Sequence, residues 1–415
     1  HTQVLKINQI VRTISETHKF DKDKLIAINT SDVENGVMGN GTLTFVDELK
    51  GQFKKTIVKD DILFSEIRPA NRRFAKVTTK NTKDYVVSTK LMVLRKYNED
   101  VDLEYFYYCL TNQPFLDILQ RRAENRIGSF PQITFDLLSE YAFPIPPISE
   151  QKRISSVIST LDKKIALNRQ INQNLEAMAK QFYDYWFVQF DFPNEEGKPY
   201  KSSGGEMVWN EKLKRNIPVG WHCGNLFEIA VFTNGLACQK FRPKDDEVPL
   251  PVIKIREMHD GISVDTEEVT SNIPESVKVY NGDVLFSWSA SLEVMLWAYG
   301  LGGLNQHIFK VTSANDFPKS FYYFQLLDYI DVFKKVAEAR KTTMGHITQD
   351  HLQQSTIAIP DNKDIAVRFE ELISPIFEQV VKLHEEISYL IKQRDELLPL
   401  LMNGQVSVNS DLSDD

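Results

Sequence analysis

The sequence has few cysteines and no long apolar run. Its three cysteines, Cys109, Cys223 and Cys238, are odd in number and lack the spacing of metal ligands, so neither a disulfide framework nor a zinc site is expected. No segment approaches the length needed to cross a bilayer, and the N-terminus has no signal-peptide pattern. With 42% hydrophobic and 26% charged residues, the composition is that of a soluble globular protein, and a reducing cytoplasm is the expected setting.

An excess of positive charge is also missing. The formal net charge is −8, which argues against a protein that coats nucleic acid without regard to sequence. The charge is unevenly distributed, since residues 1–147 hold 21 Lys and Arg against 19 Asp and Glu. DNA binding needs only a local basic face, so composition permits this function without indicating it.

Recognisable catalytic motifs are absent. The glycine cluster at residues 300–303 lacks the strand–GxGxxG–helix context of a cofactor loop, and a turn is favoured there. There is no GxxxxGK[ST] phosphate loop, and the eight histidines form no HExxH-like pair. Asp60 and Asp61, followed by Glu66 and Arg68, only faintly resemble a nuclease motif, and a turn or cap role is favoured for Asp61. The sequence therefore predicts a non-catalytic chain.

What the sequence does contain is an internal duplication. Five matches occur in the same order in both halves, and their offset falls from 225 to 214 residues, as loop insertions between retained elements would produce. The matched segments are INTSDVENG (28–36) with IKIREMHDG (253–261), DILFS (61–65) with DVLFS (283–287), YFYY (105–108) with FYYF (321–324), ITFD (133–136) with ITQD (347–350), and Ile145-Pro146 with Ile359-Pro360. The period is too long for a solenoid repeat, so two similar domains are predicted.

Each domain reads as strands followed by helices. The first matched segments are interpreted as strand-like runs that end in glycine, residues 41–77 hold short β-rich runs, and helical patterning appears around 102–122 and 318–340. This segregation favours an α+β fold over a doubly wound one. One difference stands out: the stretch TNGLACQKFRPKDDEVPLPVIKI (233–255) has no clear counterpart in the first half.

A long helical segment follows each Ile-Pro. In the first, with Ser149 as a plausible N-cap, the predicted heptad positions are Ile154, Val157, Leu161, Lys164, Asn168, Ile171, Leu175, Met178, Phe182 and Tyr185. In the second they are Phe369, Ile373, Ile376, Val380, Leu383, Ile387, Leu390, Arg394, Leu397 and Leu401. Pairing of the two helices is predicted; the alternative is that each packs on its own domain. Pro375 indicates either a bend or a later start of the regular helix.

These elements resemble the specificity subunits of Type I restriction–modification systems. The resemblance rests on FPIPPISEQKRISSVISTLDKKI (143–165), LNRQINQNLEAMAKQFYDYWF (167–187), RDELLPLLMNGQV (394–406), and DILFS and DVLFSWS before the aromatic stretches. It implies target-recognition domains at 1–147 and 207–360, a central spacer helix at 148–190, a linker at 191–206, a C-terminal spacer helix at 361–403 and a tail at 404–415. The implied fold is α+β, with two similar β-rich domains separated by two long helices that form an antiparallel coiled coil.

The resemblance further implies a division of labour. Each recognition domain would read one half of a split double-stranded DNA target, and the helices would set the gap and dock methyltransferase subunits, two in number. Restriction subunits would join the full complex in a prokaryotic cytoplasm. No cofactor is expected in this chain, because S-adenosylmethionine, ATP and Mg²⁺ would belong to the partner subunits. A related methyltransferase or combined restriction–methylation system, or a coiled-coil protein scaffold, remain alternatives.

Residue types and loop positions suggest DNA contacts. Arginine suits guanine, and asparagine or glutamine suits adenine, whereas phosphates need only cations or donors. The candidates are Arg68, Asn71, Arg72 and Arg73 after DILFS; Arg121, Arg122, Asn125, Arg126 and Ser129 before the first Ile-Thr; Arg340, Lys341, Thr342, Thr343 and His346 before the second; and a weaker set of Lys240, Arg242, Lys254 and Arg256. Solvated helix ends or ordinary surface charges are the alternative explanation. For Trp288, packing is favoured over base stacking.

Overall fold

The computed structural model describes residues 2–15, 20–49, 51–125, 131–339 and 346–408. The chain divides into two compact units. Unit 1 comprises residues 1–164 with 391–415, and unit 2 comprises residues 165–390. Each unit therefore contains a β-rich domain and a part of each long helix, and the predicted domain boundaries, which assign whole helices to spacers, stay a prediction.

The first β-rich domain contains two four-stranded sheets and a terminal strand pair. Its sheets have the orders β2-β11-β8-β9 and β6-β3-β10-β7, and β1 pairs with β12. The elements are β1 (Gln3–Lys6), β2 (Val11–Thr13), β3 (Lys24–Ile28), β4 (Val33–Glu34), β5 (Val37–Met38), β6 (Thr42–Phe45), β7 (Phe53–Lys55), β8 (Ile62–Ser65), β9 (Phe74–Lys76), β10 (Tyr85–Ser88), β11 (Leu91–Lys96), α1 (Leu103–Thr111), α2 (Gln113–Glu124), α3 (Phe135–Ser139) and β12 (Ala142–Ile145), after which α4 (Ile148–Tyr183) begins.

The second β-rich domain repeats this arrangement. Its sheets have the orders β16-β23-β20-β21 and β18-β17-β22-β19, and β15 pairs with β24. The elements are β13 (Met207–Asn210), β14 (Arg215–Pro218), β15 (Trp221–Gly224), β16 (Ala230–Asn234), β17 (Leu250–Ile253), α5 (Ile255–Asp260), β18 (Glu268–Val269), β19 (Lys278–Val279), β20 (Val284–Ser287), β21 (Glu293–Leu296), β22 (Gly302–Leu304), β23 (Ile308–Ser313), α6 (Lys319–Ala339), α7 (Gln349–Gln353) and β24 (Ile357–Pro360), followed by α8 (Asp364–Met402).

The predicted duplication is confirmed by strand order, strand by strand. Both domains also contain one parallel pair at the same place, β3 with β10 and β17 with β22. Two details of the prediction are wrong. The segment 28–36 leaves β3 at its first residue, Ile28, and passes through a 3₁₀ turn into the short strand β4, while the segment 253–261 leaves β17 at Ile253 and continues as α5. The stretch 233–255 does have a counterpart in topology, since β2 and β3 correspond to β16 and β17.

The DILFS and DVLFS strands lie between two cores, which explains their unbroken apolar character. Ile62 and Phe64 face the core that contains α1, while Leu63 faces a separate core with Ile28 and Val87. The second domain repeats this split, with Val284 and Phe286 on one side of β20 and Leu285 on the other. A strand buried on both faces needs apolar residues at successive positions rather than at alternate ones.

The aspartate that precedes each of these strands has a turn role, as predicted. The buried Asp61 carboxylate accepts the Val58 amide at 2.8 Å and forms two 2.8 Å hydrogen bonds with Arg95 on the adjacent strand. Asp283 accepts the Tyr280 amide at 2.8 Å. It also lies 3.3 Å from the Lys310 ammonium group.

The first long helix differs from the prediction in its N-cap and in its phase. It begins at Ile148, so Ser149 lies inside the first turn rather than at the N-cap, and a π-helical turn, Asp184–Val188, follows it. At half of the predicted seam positions, the buried residue is the next one along the chain. The predicted Val157, Lys164, Ile171, Met178 and Tyr185 are half-buried or exposed, whereas the buried residues are their neighbours Ile158, Ile165, Asn172, Ala179 and Trp186.

The second long helix follows its predicted seam closely. Phe369, Ile373, Val380, Leu383 and Ile387 are buried on one face. The helix runs without interruption from Asp364 to Met402, so the regular part does not start near Pro375. Pro375 is exposed, and there the missing amide hydrogen bond faces solvent.

Contacts within each unit show that the long helices pair antiparallel. In unit 1, Ile154 and Ile158 of α4 share a core with Leu398 and Leu401 of α8, and Arg394 binds Asp162 at 2.9 Å. In unit 2, the Asn172 side chain donates to the Val380 carbonyl oxygen at 3.3 Å, and farther along α4 Tyr183 contacts Phe369. Residues later in α4 thus meet residues earlier in α8.

Candidate nucleic-acid interface

The loop after β8 holds the first predicted cluster in a strained conformation. A 3₁₀ turn, Pro69–Asn71, is flanked by Arg68 and Arg72, whose φ angles of 45° and 53° are left-handed. Such a conformation in residues other than glycine carries strain and occurs often at functional sites. The turn leaves the side chains of Arg68 and Asn71 exposed.

The other two arginines of this cluster hold the loop together. The Arg72 guanidinium donates to Asn35 and Gln113 at 2.6 Å each, lies over the Phe74 ring, and has a pKa lowered by burial. Arg73 lies 3.3 Å from the Ser31 carbonyl oxygen and 3.7 Å from Glu34. Both guanidinium groups therefore serve the structure of the loop, and Arg68 and Asn71 are the members of the cluster that face solvent.

The second predicted cluster lies beside the first. The end of α2 carries Arg121, Arg122 and Asn125, all exposed. The Ala70 amide of the 3₁₀ turn donates to Gln120 on α2 at 3.1 Å, and this contact places the two clusters together. Arg121 also donates to the Asp117 carbonyl oxygen at 3.3 Å. Arg126 and Ser129 lie outside the described residues.

The second domain brings only part of its predicted set together. Lys254 pairs with Glu267 at 2.6 Å and Arg256 with Glu257 at 2.7 Å, so both are ion-paired surface residues in the described part of the chain. Lys240 and Arg242 are exposed on the segment between β16 and β17. Arg340, Lys341, Thr342 and Thr343 lie outside the described residues.

His346 lies in an aromatic cluster at the end of this domain. Its ring is 5.8 Å from the ring of Trp288, which in turn lies 5.1 Å from His307. The Trp288 indole nitrogen donates to Asn234 at 3.0 Å. Trp288 is half-buried, in agreement with the packing role favoured from sequence.

Sequence reasoning missed the residues that organise these loops. Asn35 and Gln113, which fix Arg72, are 37 and 41 residues away from it, and no local pattern marks them. His307 has a φ of 78°, a strained value that sequence alone does not reveal. A comparison of the residues just before β11 and β23 could have drawn attention to Lys90 and His307, which precede equivalent strands.

The chemistry available at these loops is that of hydrogen bonding and charge. In the described ranges, no three His, Cys, Asp or Glu residues come close enough to hold a metal ion. Burial raises the pKa of the Cys109 thiol, and burial also raises the pKa of Cys238 to about 11, so both thiols are protonated at neutral pH. Among the described helices, none combines the length and apolar character needed to span a membrane.

Comparisons with known proteins extend over both domains and both helices. Residues 2–177 match the family described as Type I restriction modification DNA specificity domain. The Type I restriction enzyme HindI specificity subunit of Haemophilus influenzae is 28% identical over 96% of this chain and 98% of its own length. The MjaIX specificity subunit of Methanocaldococcus jannaschii is 24% identical over 74% of this chain and 69% of its own.

A solved structure shows the same fold. The Type I restriction–modification S subunit from M. genitalium aligns over 97% of this chain and 96% of its own length, with a TM-score of 0.53 and 14% identity. That identity is low enough that the likeness concerns the fold alone. The sequence matches go further than the fold, since residues 2–177 are similar to the specificity-domain family and both relatives are Type I restriction enzyme specificity subunits.

Proposed function

We propose that this chain is the DNA-reading subunit of a Type I restriction–modification complex. Each β-rich domain reads one half of a split target, and the paired helices set the gap between the halves and dock methyltransferase subunits. The observation that carries this proposal is that two domains of identical strand order present different side chains on equivalent loops. One framework with two sets of side chains suits a target with two different halves.

The basic loops of the first domain support DNA contact. Arg68, Asn71, Arg122 and Asn125 are exposed on two neighbouring elements, the 3₁₀ turn and the end of α2, which a hydrogen bond joins. Arginine and asparagine side chains can reach base edges as well as phosphates. Because the whole chain has a net charge of −8, the partner subunits supply a large share of the sequence-independent hold on DNA.

The long helices support the spacer role. A helix of the 36 residues of α4 is about 54 Å long, which exceeds one turn of B-DNA, about 34 Å. In unit 1, α4 and α8 form an open groove of mixed polarity, and its lining residues are Ser156, Val157, Thr160, Leu161, Gln393, Glu396, Leu397 and Leu400. Such a groove offers apolar area with a polar rim, as a subunit interface does.

The reactions themselves belong to the partners in this proposal. The methyltransferase subunits, two of them, hold S-adenosylmethionine, and the restriction subunits use ATP and Mg²⁺. This chain contributes no catalytic group and binds none of these cofactors. Its contribution is the choice of the DNA sequence at which the partners act.

Methylome sequencing of cells that express this chain with its methyltransferase partner tests the proposal. We expect a split motif, and we expect exchange of residues 1–147 for those of a relative to change one half and leave the other half and the gap intact. An unsplit motif, or a motif indifferent to the exchange, would contradict the proposal. The affinity of the complex for duplex DNA, measured over a series of salt concentrations, distinguishes the proposed function from the scaffold alternative. The scaffold alternative predicts no salt-sensitive DNA affinity.

A further inference from the structure

The loops that follow β8 and β20 share one backbone framework. The Glu66 amide donates to the Lys90 carbonyl oxygen at 3.0 Å, and the Trp288 amide donates to that of His307 at 3.1 Å. Three residues after each strand the chain turns left-handed, at Arg68 with a φ of 45° and at Ala290 with a φ of 61°. These positions correspond one to one, although their residue types differ completely.

A second set of contacts adds a third position to the framework. The Ile133 amide donates to the Glu66 carbonyl oxygen at 2.7 Å, as the Ile347 amide does to that of Trp288 at 3.0 Å. An antiparallel bridge joins residue 67 to Gln132 in one domain and residue 289 to His346 in the other. We name Glu66, Lys90 and Gln132 the first triplet, and Trp288, His307 and His346 the second triplet.

The first triplet presents an amide held in place by a carboxylate. The Gln132 side-chain nitrogen donates to Glu66 Oε2 at 2.8 Å. No other hydrogen bond engages the Gln132 side chain within the described part of the chain, so its carbonyl oxygen remains as an acceptor and one N–H as a donor. An amide with one acceptor and one donor matches the N6 amino group and the N7 acceptor of adenine. Lys90 is exposed beside it, a cation suited to a phosphate.

The second triplet presents aromatic surface and imidazole N–H groups. Trp288 uses its indole N–H on Asn234 at 3.0 Å, so its ring face is what remains, and it packs against both histidine rings. A neutral imidazole has one N–H donor and one ring-nitrogen acceptor, but these point in divergent directions and cannot meet one base edge side by side as the groups of an amide do. The second triplet therefore cannot recognise a base as the first one does.

We propose that Gln132 and His346 are equivalent specificity-determining residues, one for each half of the target, and that Gln132 reads adenine. Glu66 is a positioning residue that orients the Gln132 amide, and Trp288 positions His346. This inference rests on the proposed function, because it assigns residues to the reading of the two half-sites. Gln132 lies three residues after Ser129 in sequence, and His346, itself a predicted contact, lies three residues after Thr343.

The test replaces these residues in the full chain, expressed with its methyltransferase partner, and sequences the methylome. Gln132→Glu, made together with Glu66→Gln so that two carboxylates do not face each other, removes the donor to adenine N7 and leaves acceptors that suit the N4 amino group of cytosine, so one adenine of one half-site should become cytosine. His346→Gln should bring adenine to one position of the other half. In each variant the untouched half and the gap should stay as in the wild type.

Variants of Glu66 separate positioning from a merely structural role. Glu66→Gln keeps a hydrogen-bond acceptor for Gln132, so the motif should be unchanged. Glu66→Ala should lower discrimination at the same single base that Gln132→Glu alters, by roughly 5- to 150-fold. Glu99→Gln, the same chemical change at an exposed residue outside the triplets, is the matched control and should have no effect on the motif.

The outcomes distinguish this inference from the function on which it rests. A wild-type motif that is not split contradicts the proposed function. A split wild-type motif that survives Gln132→Glu and His346→Gln with every base unchanged overturns the inference alone. If a variant methylates nothing, affinities of the Gln132→Ala complex for duplexes with each base pair at each target position decide. Lost discrimination at one position supports the inference, and unchanged discrimination at all positions overturns it.

Discussion

At the scale of single residues, the presence of an arginine does not by itself distinguish a residue that holds a loop together from one that faces solvent. Arg72 and Arg73 satisfied the sequence criteria as well as Arg68 did, yet their partners Asn35 and Ser31 come from distant parts of the chain. The turn role of Asp61 could be predicted because it recurs as Asp283. Repetition carried information that residue type did not.

Asp61→Ala should destabilise unit 1 by about 3 kcal/mol, since it removes two hydrogen bonds from Arg95 and one from the Val58 amide at a fully buried carboxylate. Asp283→Ala is the matched change in the second domain. Asp283 is partly exposed and lies farther from its cation, so about 1 kcal/mol is expected. Hydrogen exchange of β8 and β11 against β20 and β23 measures both effects. Equal losses in the two domains would contradict this ranking.

His222 should make one segment of the second domain sensitive to pH. Burial lowers the pKa of His222, but hydrogen bonds with Glu228 at 2.9 Å and Asp361 at 2.5 Å outweigh burial and raise the pKa. A raised pKa in the folded state stabilises fully below about pH 6.5, the unfolded value, and this stabilisation is lost as the pH rises through the folded value.

Hydrogen exchange of residues 221–228, corrected for intrinsic rates, should therefore show protection that decreases as the pH rises above about 6.5. The variant His222→Gln should remove this dependence, because an amide does not titrate in that range. Protection that rises with pH in the wild type alone would refute the linkage.

At the scale of elements, the second seam was predictable and the first only in part. In α8, apolar residues occupy the predicted seam positions so regularly that a single heptad phase fits the sequence. In α4 two heptad phases fit the sequence, because Asn168 and Asn172 can both occupy seam positions. In one phase the step after Asn168 is three residues, and in the other it is four. Burial of Asn168 and Asn172, at 2% and 3% exposure, settles the phase.

Asn168→Leu should stabilise unit 2 and loosen the register of its helix pair. The buried Asn168 Nδ2 has no hydrogen-bond partner among the described residues, so replacement should raise the free energy of unfolding by about 1 to 3 kcal/mol. Polar seam residues fix register at a cost in stability. Thermal unfolding measures the first effect.

Cross-linking with a short bis-maleimide measures the second effect, with cysteines in place of Glu176 and His384, whose Oε1 and Nε2 atoms lie 3.9 Å apart. In a Cys223→Ser background, the yield should fall in Asn168→Leu. The exposed Asn174→Leu on the same helix is the control and should leave the yield unchanged. An unaltered yield in Asn168→Leu would assign register to other contacts.

At the scale of the whole molecule, the order of the matched segments predicted the duplication but not which strands pair in the sheets. The five matched segments fall on equivalent elements, yet strand pairing joins residues far apart, as β1 with β12 does, and no local pattern specifies it. The prediction that residues 233–255 have no counterpart in the first half was wrong for the same reason, since the matching strands share topology but not sequence. Topology can be retained where side chains have diverged beyond recognition.

Seven residues inserted into both long helices, at 164/165 and 390/391, should lengthen the gap of the target by about three base pairs. One heptad keeps the seam in phase and adds about 10 Å of helix, against 3.4 Å per base pair. The methylome should show both half-sites unchanged. Four residues inserted into α4 alone should abolish methylation, and an insertion that changed the bases read would contradict the spacer role.

The framework around positions 66, 90 and 132 is joined by main-chain hydrogen bonds, and this has an evolutionary consequence. Mutations there can replace the side chain without removing the bonds that shape the loop, so a gene of this kind can acquire a new DNA target by single codon changes while its product keeps folding. Variation among natural alleles should accumulate at these codons and their counterparts 288, 307 and 346. Codons 68 and 290, fixed in a left-handed backbone, should admit glycine and asparagine but exclude valine and isoleucine.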